Sequence, residues 1–581
     1  MSPMGSKSLA WLPIAAAIAL PLAARSADWL QFGYDAAHSG NNTTETLISA
    51  DNVAGLRQRY QVLLPTSNVD SAPIYLSGVV TAGGTKNLLF VLGEDGTLIA
   101  IDADVGSIVW SHQVSGAIPT QSTPAIGPDR AYVYAYGLDG YVHKWHVDTG
   151  EEVTDASWPE LITLKPDVER VAGGLTIATA GKTTYLYVVT NSSFDAGDYQ
   201  GHLTTIDLTS GAQSVFNTLC SDNPTHLDHT GNNCPWPNDE SLGGNGIWGR
   251  GGATFDRDTG RVYVTSGNGW FDANTGGHNW GDSVLSLLPD GAGTLGLPDD
   301  SYTPEDYLDL WGQDLDLGAI SLAILPVPPG HTVTHLGAQV GKDAMIRLID
   351  LDNMNGSHGP GGVGGELQQN GGGGLFTQPA VWIDAEGNTW MFVTNKGVEA
   401  FKLQFDVKDV PYLQLQWDVG GSGTSPVIAD GVLYLFGQAC TPPATNCMFA
   451  LDPRTGSLLW ASSQEIQVPH WASPIVVDGA LYVVEGALLH RFDLTMRIVT
   501  PIAGEGGTIT PSDPQTVQAG QTLTFEVDPE MGYQVATVAG CGVHSNNGMF
   551  WTTAPILEDC TVSATFVSDS DRIFRDGFDG F

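Results

Sequence analysis

Short apolar runs of strand length, separated by Gly, Pro, Asn, Asp and Ser, recur along most of this chain. Leu56-Arg-Gln-Arg-Tyr-Gln-Val-Leu-Leu64 alternates apolar and polar positions, the period-two pattern of a strand with one buried face. From Ser71 a longer unit begins and keeps returning. It reads Ser-x-Pro, a short apolar strand, a second strand ending in Gly, a third ending in Asp, then Gly-x-x-x-Trp. The clearest copies run from Ala72-Pro73 through Asp102, Gly106 and Trp110, and from Ser425-Pro426 through Asp452, Gly456 and Trp460. Others start at Thr123-Pro124 and Ser473-Pro474. Pro73 to Pro124 spans 51 residues and Pro426 to Pro474 spans 48. A period near 50 with four short strands per unit predicts propeller blades.

Weaker copies fill the middle: Leu175 to Asp207, Gly252 to Leu288, Ala319 to Asp350 and Pro379 to Leu403. That makes eight units. The last, from Ala472, stops at Arg491-Phe492-Asp493 without a fourth strand, and Leu56–Leu64 has the missing character. The expected fold class is therefore all-β: an eight-bladed β-propeller closed by an N-terminal strand, followed by a small β domain. Closure would remove the two free sheet edges of an open ring. The expected domains are a leader (1–27), the propeller (28–499), a disulfide-stapled β module (500–567) and a tail (568–581).

Composition agrees, with 72 Gly and 33 Pro among 581 residues and only 15% charged. Asp and Glu number 64 against 23 Lys and Arg, a formal net charge of -41. So acidic a surface repels phosphate backbones and anionic bilayers, so neither nucleic acid nor a membrane surface is an expected partner. Residues 1–27 read as a secretory signal, with Lys7, an apolar stretch from Leu9 to Ala24, and small residues before Asp28. No later segment is long enough to span a bilayer. The expectation is an exported monomer, periplasmic or extracellular. Six cysteines fit that compartment, and sequence proximity favours Cys220–Cys234, Cys440–Cys447 and Cys541–Cys560. None forms CxxC or the haem-attaching CxxCH, and none are adjacent.

The stretch Gly246 to Val284 carries the candidate chemistry. It holds Ile247-Trp248-Gly249, then Gly267-Asn268-Gly269 and Trp280-Gly281-Asp282. An amide oxygen, a carboxylate and two flat indoles suit a planar ligand and a hard cation, although Asn268 between glycines is also a good turn residue.

The repeat pattern resembles the PQQ-binding repeat family over roughly Asp28 to Leu494, whose eight-bladed members include the quinoprotein alcohol dehydrogenases. The resemblance implies that Trp248 lies under a quinone, with Trp280 and Asp282 in the same cofactor-binding stretch. It implies PQQ and calcium as cofactors, with Asn268, Asp195 and Asp316 as metal ligands. Gln313-Asp314-Leu315-Asp316-Leu317-Gly318 is similar to the element that bears the catalytic base, so Asp316, with Asp314 beside it, is the expected base. Lys342, in Gly341-Lys342-Asp343, would be the cation at the quinone. The substrate would be an alcohol, small or polymeric, with a separate electron acceptor. The chain departs from the family at Gln200, where an arginine is expected, and lacks the adjacent cysteines that cover the quinone in many members. These departures favour the rival reading, a non-catalytic extracellular propeller for binding, adhesion or assembly. Residues 501–567 resemble a bacterial repeat domain related to internalin-type B-repeats, which implies adhesion or spacing. His226-Leu-Asp-His229, between Cys220 and Cys234, reads as a disulfide-closed insertion ahead of a zinc loop.

Overall fold

Strands buried on both faces have no need to alternate, and the inner strands of this chain do not. Thr97–Asp102, Val284–Leu287 and Thr389–Thr394 are buried at every position, whereas outermost strands such as Ile108–Gln113 are mostly exposed. The protein is described by a computed structural model over residues 28–569, apart from 194, 230–233, 235–243, 372–375, 395–396, 421–422, 438–439, 441–443, 468–471 and 546. The expected leader lies outside the described residues, as does nearly all of the expected tail.

Among the described residues eight antiparallel four-strand ladders follow one another along the chain, the seventh with Asn41–Asn42 added in parallel as a fifth strand. They begin with Ile74–Thr81, Ala125–Ile126, Thr176–Ala180, Thr254–Asp256, Ala323–Leu325, Ala380–Ile383, Val427–Ala429 and Ile475–Val477, matching the eight repeat units. In seven of them the fourth strand follows the third in sequence. In the eighth it is Leu56–Leu63, which pairs antiparallel with Leu488–Leu494, from Leu56 opposite Leu494 to Leu63 opposite Leu488.

Outer-strand tryptophans, two of them from Gly-x-x-x-Trp elements, reach across from one ladder to the next. The Trp110 indole donates to Val147 O at 3.1 Å, Trp417 to Pro453 O at 3.0 Å and Trp460 to Leu56 O at 3.2 Å, each reaching the next ladder. Each ring needs a gap in the ladder it meets. A Cβ on Gly150 would lie 2.6 Å from the Trp110 ring, and one on Gly456 would lie 2.8 Å from Trp417. Both glycines have positive φ, 72° and 69°, so the turn and the contact demand the same residue. At the last joint Tyr60 takes the tryptophan's place. Its hydroxyl donates to Ala103 O at 2.8 Å, and a Cβ on Gly106 would lie 2.9 Å from its ring.

The segment after Asp28 crosses the inner ends of the ladders. Trp29 and Tyr75 exchange backbone bonds of 2.9 and 2.7 Å, and Ile126 N–H donates to Leu30 O at 2.8 Å. Ile177 N–H donates to Gln31 Oε1 at 2.7 Å. Phe255, Val381 and Ile428 N–H donate to Ala36, Ser39 and Gly40 O at 2.8, 2.8 and 2.7 Å. Asn42 Nδ2 donates to Val476 O at 2.8 Å.

All three expected disulfides are present. Beyond Leu494 the chain forms two more four-strand sheets around Val499, Ile509, Phe525, Val527 and Val562. The strand Met496–Ala503 pairs within this module, with Gln515–Gln518 and Cys560–Ser568. The module's sheet therefore begins at Met496, before the boundary expected at residue 500. No helix among the described residues is long and apolar enough to cross a membrane.

Candidate functional site

Three close backbone approaches bring the candidate segments together. Gly267 N–H donates to Gly246 O at 2.7 Å, and Lys342 N–H donates to Asp316 O at 2.9 Å. A Cβ on Gly318 would lie 2.6 Å from Gly267 N. The short helix Tyr307–Gln313 ends at Asp314, whose left-handed conformation (φ 56°) reverses the chain and sets Asp314 and Asp316 side by side. The expected base, cation, indole and amide thus meet although they lie far apart in sequence.

Asp316 is buried, and its Oδ1 accepts Asn268 N–H at 2.7 Å. A Cβ on Gly267 would clash with that oxygen and lie 3.0 Å from Trp248 Nε1, which puts carboxylate and indole side by side. Asp316 Oδ2 is ion-paired with Lys342 Nζ. The same ammonium lies 3.1 Å from Asp314 Oδ1 and 5.3 Å from the centre of the Trp248 ring. Asn268 Nδ2 also donates to Asp314 Oδ1, at 3.1 Å. Burial raises the pKa of Asp316 against the opposing pull of Lys342. Burial lowers that of Lys342, but the two carboxylates outweigh it and the net shift is upward.

Asp195 stands nearby. Its Oδ1 accepts the Tyr199 hydroxyl at 3.0 Å. Burial raises the Tyr199 pKa, and the charges of Asp195 and Asp316 raise it further, so this phenol lies between the two carboxylates' fields. Sequence reasoning passed over Tyr199, although it lies in the same run as Asp195 and Gln200. It also passed over Phe376, 5.8 Å from Trp248 between ring centres, and the Trp270–Trp311 pair, edge-to-face at 5.9 Å beside Asn268 and Asp314.

Two expected cofactor-binding residues stand behind the site instead. Trp280 is fully buried and donates to Ser221 Oγ at 2.9 Å, a core aromatic packed on Phe271. Asp282 is also buried. Its Oδ1 accepts Leu317 N–H at 2.9 Å, while Oδ2 has no hydrogen-bond partner among the described residues. Burial pushes its pKa up to about 8, opposed by the Leu317 N–H and reinforced by the charge of Asp316. Gln200 is buried, and its Oε1 accepts from Lys165 Nζ. It thus presents no cation to the site.

The raised pKa of Asp282 has a consequence for stability. Between the ordinary carboxylate range and about pH 8 the folded protein holds a proton that the unfolded chain has released. Stability therefore falls as pH rises across that window. Asp282→Asn, which keeps an acceptor for Leu317 N–H, is expected to flatten this decline, measured as urea midpoints from pH 4 to 8.

Asp314, Asp316, Asp195 and the Asn268 amide are oxygen donors suited to a hard cation, and the Trp248 face suits a planar ring. In donor type alone these residues suit the metal and quinone that the repeat pattern implies. Two carboxylates face one ammonium at Asp314–Lys342–Asp316, so the cluster favours a cation. Among the described residues no three His, Cys, Asp or Glu side chains gather as a metal cage, so Asp195, Asp314 and Asp316 do not together form one. His226 Nε2 bonds Thr204 Oγ1 at 3.0 Å, and His229 Nε2 lies 2.9 Å from Asp167, so the pair holds no shared ion.

The family profile of the outer membrane protein assembly factor BamB matches residues 48–234, less than half of the chain. No curated protein matches the sequence. A europium-containing methanol dehydrogenase superposes with a TM-score of 0.57 at 14% identity, covering 81% of this chain and 98% of its own. The quinohemoprotein alcohol dehydrogenase ADHIIG from Pseudomonas putida HK5 (TM-score 0.55, 14% identity) and that from Comamonas testosteroni (0.55, 16%) each cover 80% of both chains. At these identities the likeness is one of fold: an all-β, repeat-built chain similar in architecture to the quinoprotein alcohol dehydrogenases.

Proposed function

We propose that this protein is an exported quinoprotein-like oxidoreductase that acts on alcohol groups. Its eight ladders are the blades of a propeller closed by Leu56–Leu63, and the C-terminal module is a spacer or adhesive unit. The reading rests on one observation: Asp316, Lys342, Trp248 and Asn268 converge at one end of the inner strands. PQQ and calcium would be held by Trp248, Lys342, Asn268, Asp195 and Asp316, supplying a two-electron acceptor and a Lewis acid.

The chain's own residues then divide the work. Asp316 takes the hydroxyl proton of the alcohol at Oδ2, once that oxygen has left Lys342. Lys342 stays to balance negative charge as it develops. Asn268 N–H keeps the second Asp316 oxygen fixed, so the base has one free direction. Electrons leave to a separate carrier, since no CxxCH is present.

Because the cluster is net negative, an anionic quinone is expected to bind only when a metal ion is supplied. Titration of the purified protein with PQQ, with and without calcium, tests this by quinone absorbance and thermal shift. Calcium-dependent binding, lost in Asn268→Ala, is the expected result. Absence of binding at micromolar cofactor would overturn the reading and leave a binding or assembly propeller, in line with the BamB-type profile over residues 48–234.

A further inference from the structure

The N-terminal segment bonds to the first strand of seven of the eight ladders and skips one. At corresponding positions Ile126, Ile177, Phe255, Val381 and Ile428 each send an N–H inward to an acceptor on that segment. The matching residue of the skipped ladder is Ile324, which sits opposite Gly337. Leu351 N–H donates to His335 O at 2.9 Å, which fixes the phase of that strand: Gly337 faces the third strand, so the polar groups of Ile324 point away from their own ladder. Among the described residues Ile324 N–H has no acceptor.

A cavity of about 600 Å³ occupies this gap. It opens at the far ends of the inner strands, away from Trp248 and Asp316, which flank their near ends. Ile177, Phe255, Ile324 and Val381 form its apolar side, and Gln31, Asp35 and Asp258 lie among its polar lining. Gln31 is only 7% exposed. Its oxygen accepts Ile177 N–H, and its NH2 group has no partner among the described residues. Two donors therefore lack acceptors at one cavity. Ile324 is half-buried and the Gln31 NH2 group is accessible at the cavity, so both donors lie within reach of a ligand, and the volume suits a small one.

The chemistry selects the ligand class. Two unmatched donors call for a carbonyl oxygen. Asp35, Asp256 and Asp258 line the same cavity, with Arg257 the single basic residue, so a carboxylate ligand is repelled and an N–H or ammonium is welcome. The apolar side takes an aliphatic side chain.

We propose that this cavity is a binding site for a short neutral or cationic peptide, whose main-chain carbonyl accepts the inward N–H of Ile324. The occupant adds at the skipped ladder the acceptor that the N-terminal segment supplies at six of the others, a local case of strand addition. The site is independent of the metal and quinone reading.

Hydrogen-exchange mass spectrometry on the full chain tests it, with N-acetyl-leucyl-lysinamide as the probe. In the free protein the amide of Ile324 is expected to exchange faster than those of Phe255, Val381 and Ile428. Millimolar probe should slow it towards theirs, while hexanoate should not. Ala37→Trp fills the cavity from a half-buried position and should abolish the effect. Asp258→Lys, at the exposed rim, should weaken binding several-fold without touching the fold. Equal protection of all four amides in the free protein, or a probe effect unchanged in Ala37→Trp, would overturn the proposal. So would preferential binding of hexanoate.

Discussion

Asp316→Asn is expected to lower alcohol oxidation by about 10²- to 10⁴-fold at saturating PQQ and calcium, whatever loss of cofactor affinity accompanies it. That range is the usual contribution of a positioned general base. The asparagine keeps an acceptor for Asn268 N–H, so the loss reports proton transfer and not a collapsed loop. Lys342→Met separates the two roles further. Asp316 must be ionised to act, and Lys342 is what opposes the upward shift that burial imposes on it. Without the ammonium the acid limb of the pH–rate profile should move to higher pH, and turnover near neutrality should fall with it. An acid limb that stays in place in Lys342→Met would remove Asp316 as the base.

Lys165→Met is expected to destabilise the propeller by about 3–5 kcal/mol, the cost of leaving one buried charge unpaired. Lys165 and Glu169 are both essentially inaccessible to solvent, with Nζ 3.0 Å from Oε1. Glu169 Oε1 also accepts Gln200 N–H at 2.9 Å, its Oε2 accepts the Thr163 hydroxyl, and Lys165 Nζ donates to Asp198 O at 2.9 Å. The single substitution strands a carboxylate inside this network. Lys165→Met with Glu169→Gln leaves a neutral side chain in its place and should recover most of the loss. Urea unfolding of the single and double variants measures the difference; equal destabilisation by both would show that the charge is not what matters.

Much of the fold was legible because its physics repeats. At Gly106/Trp110 and Gly456/Trp460 a glycine that clears space and a tryptophan that fills the neighbour's stand four residues apart, and there that demand is written into the sequence. The incomplete last unit and the alternating Leu56–Leu64 run could be matched for the same reason. The site was half legible. Trp248, Asn268, Asp316 and Lys342 lie in short motifs beside strand ends, where the backbone fixes their direction. Trp280 and Asp282 share such a motif but point into the core, and spacing alone does not separate the two faces of a turn. Tyr199 carried no motif. Lys165 reaches Gln200 across 35 residues of sequence, a pairing that only the packed chain reveals. The course of the N-terminal segment was equally hidden, since its bonds are mostly to backbone and leave little trace in residue type.

The joint at Tyr60 ties the start of the chain to a segment more than 400 residues later. Leu56–Leu63 is made near the start of the chain, but its partner Leu488–Leu494 comes near the end. A chain truncated anywhere between them keeps a strand with no ladder and a final sheet with a bare edge, the features that attract proteases and promote aggregation. Only a chain read through to Leu494 can pair Leu56–Leu63 with Leu488–Leu494.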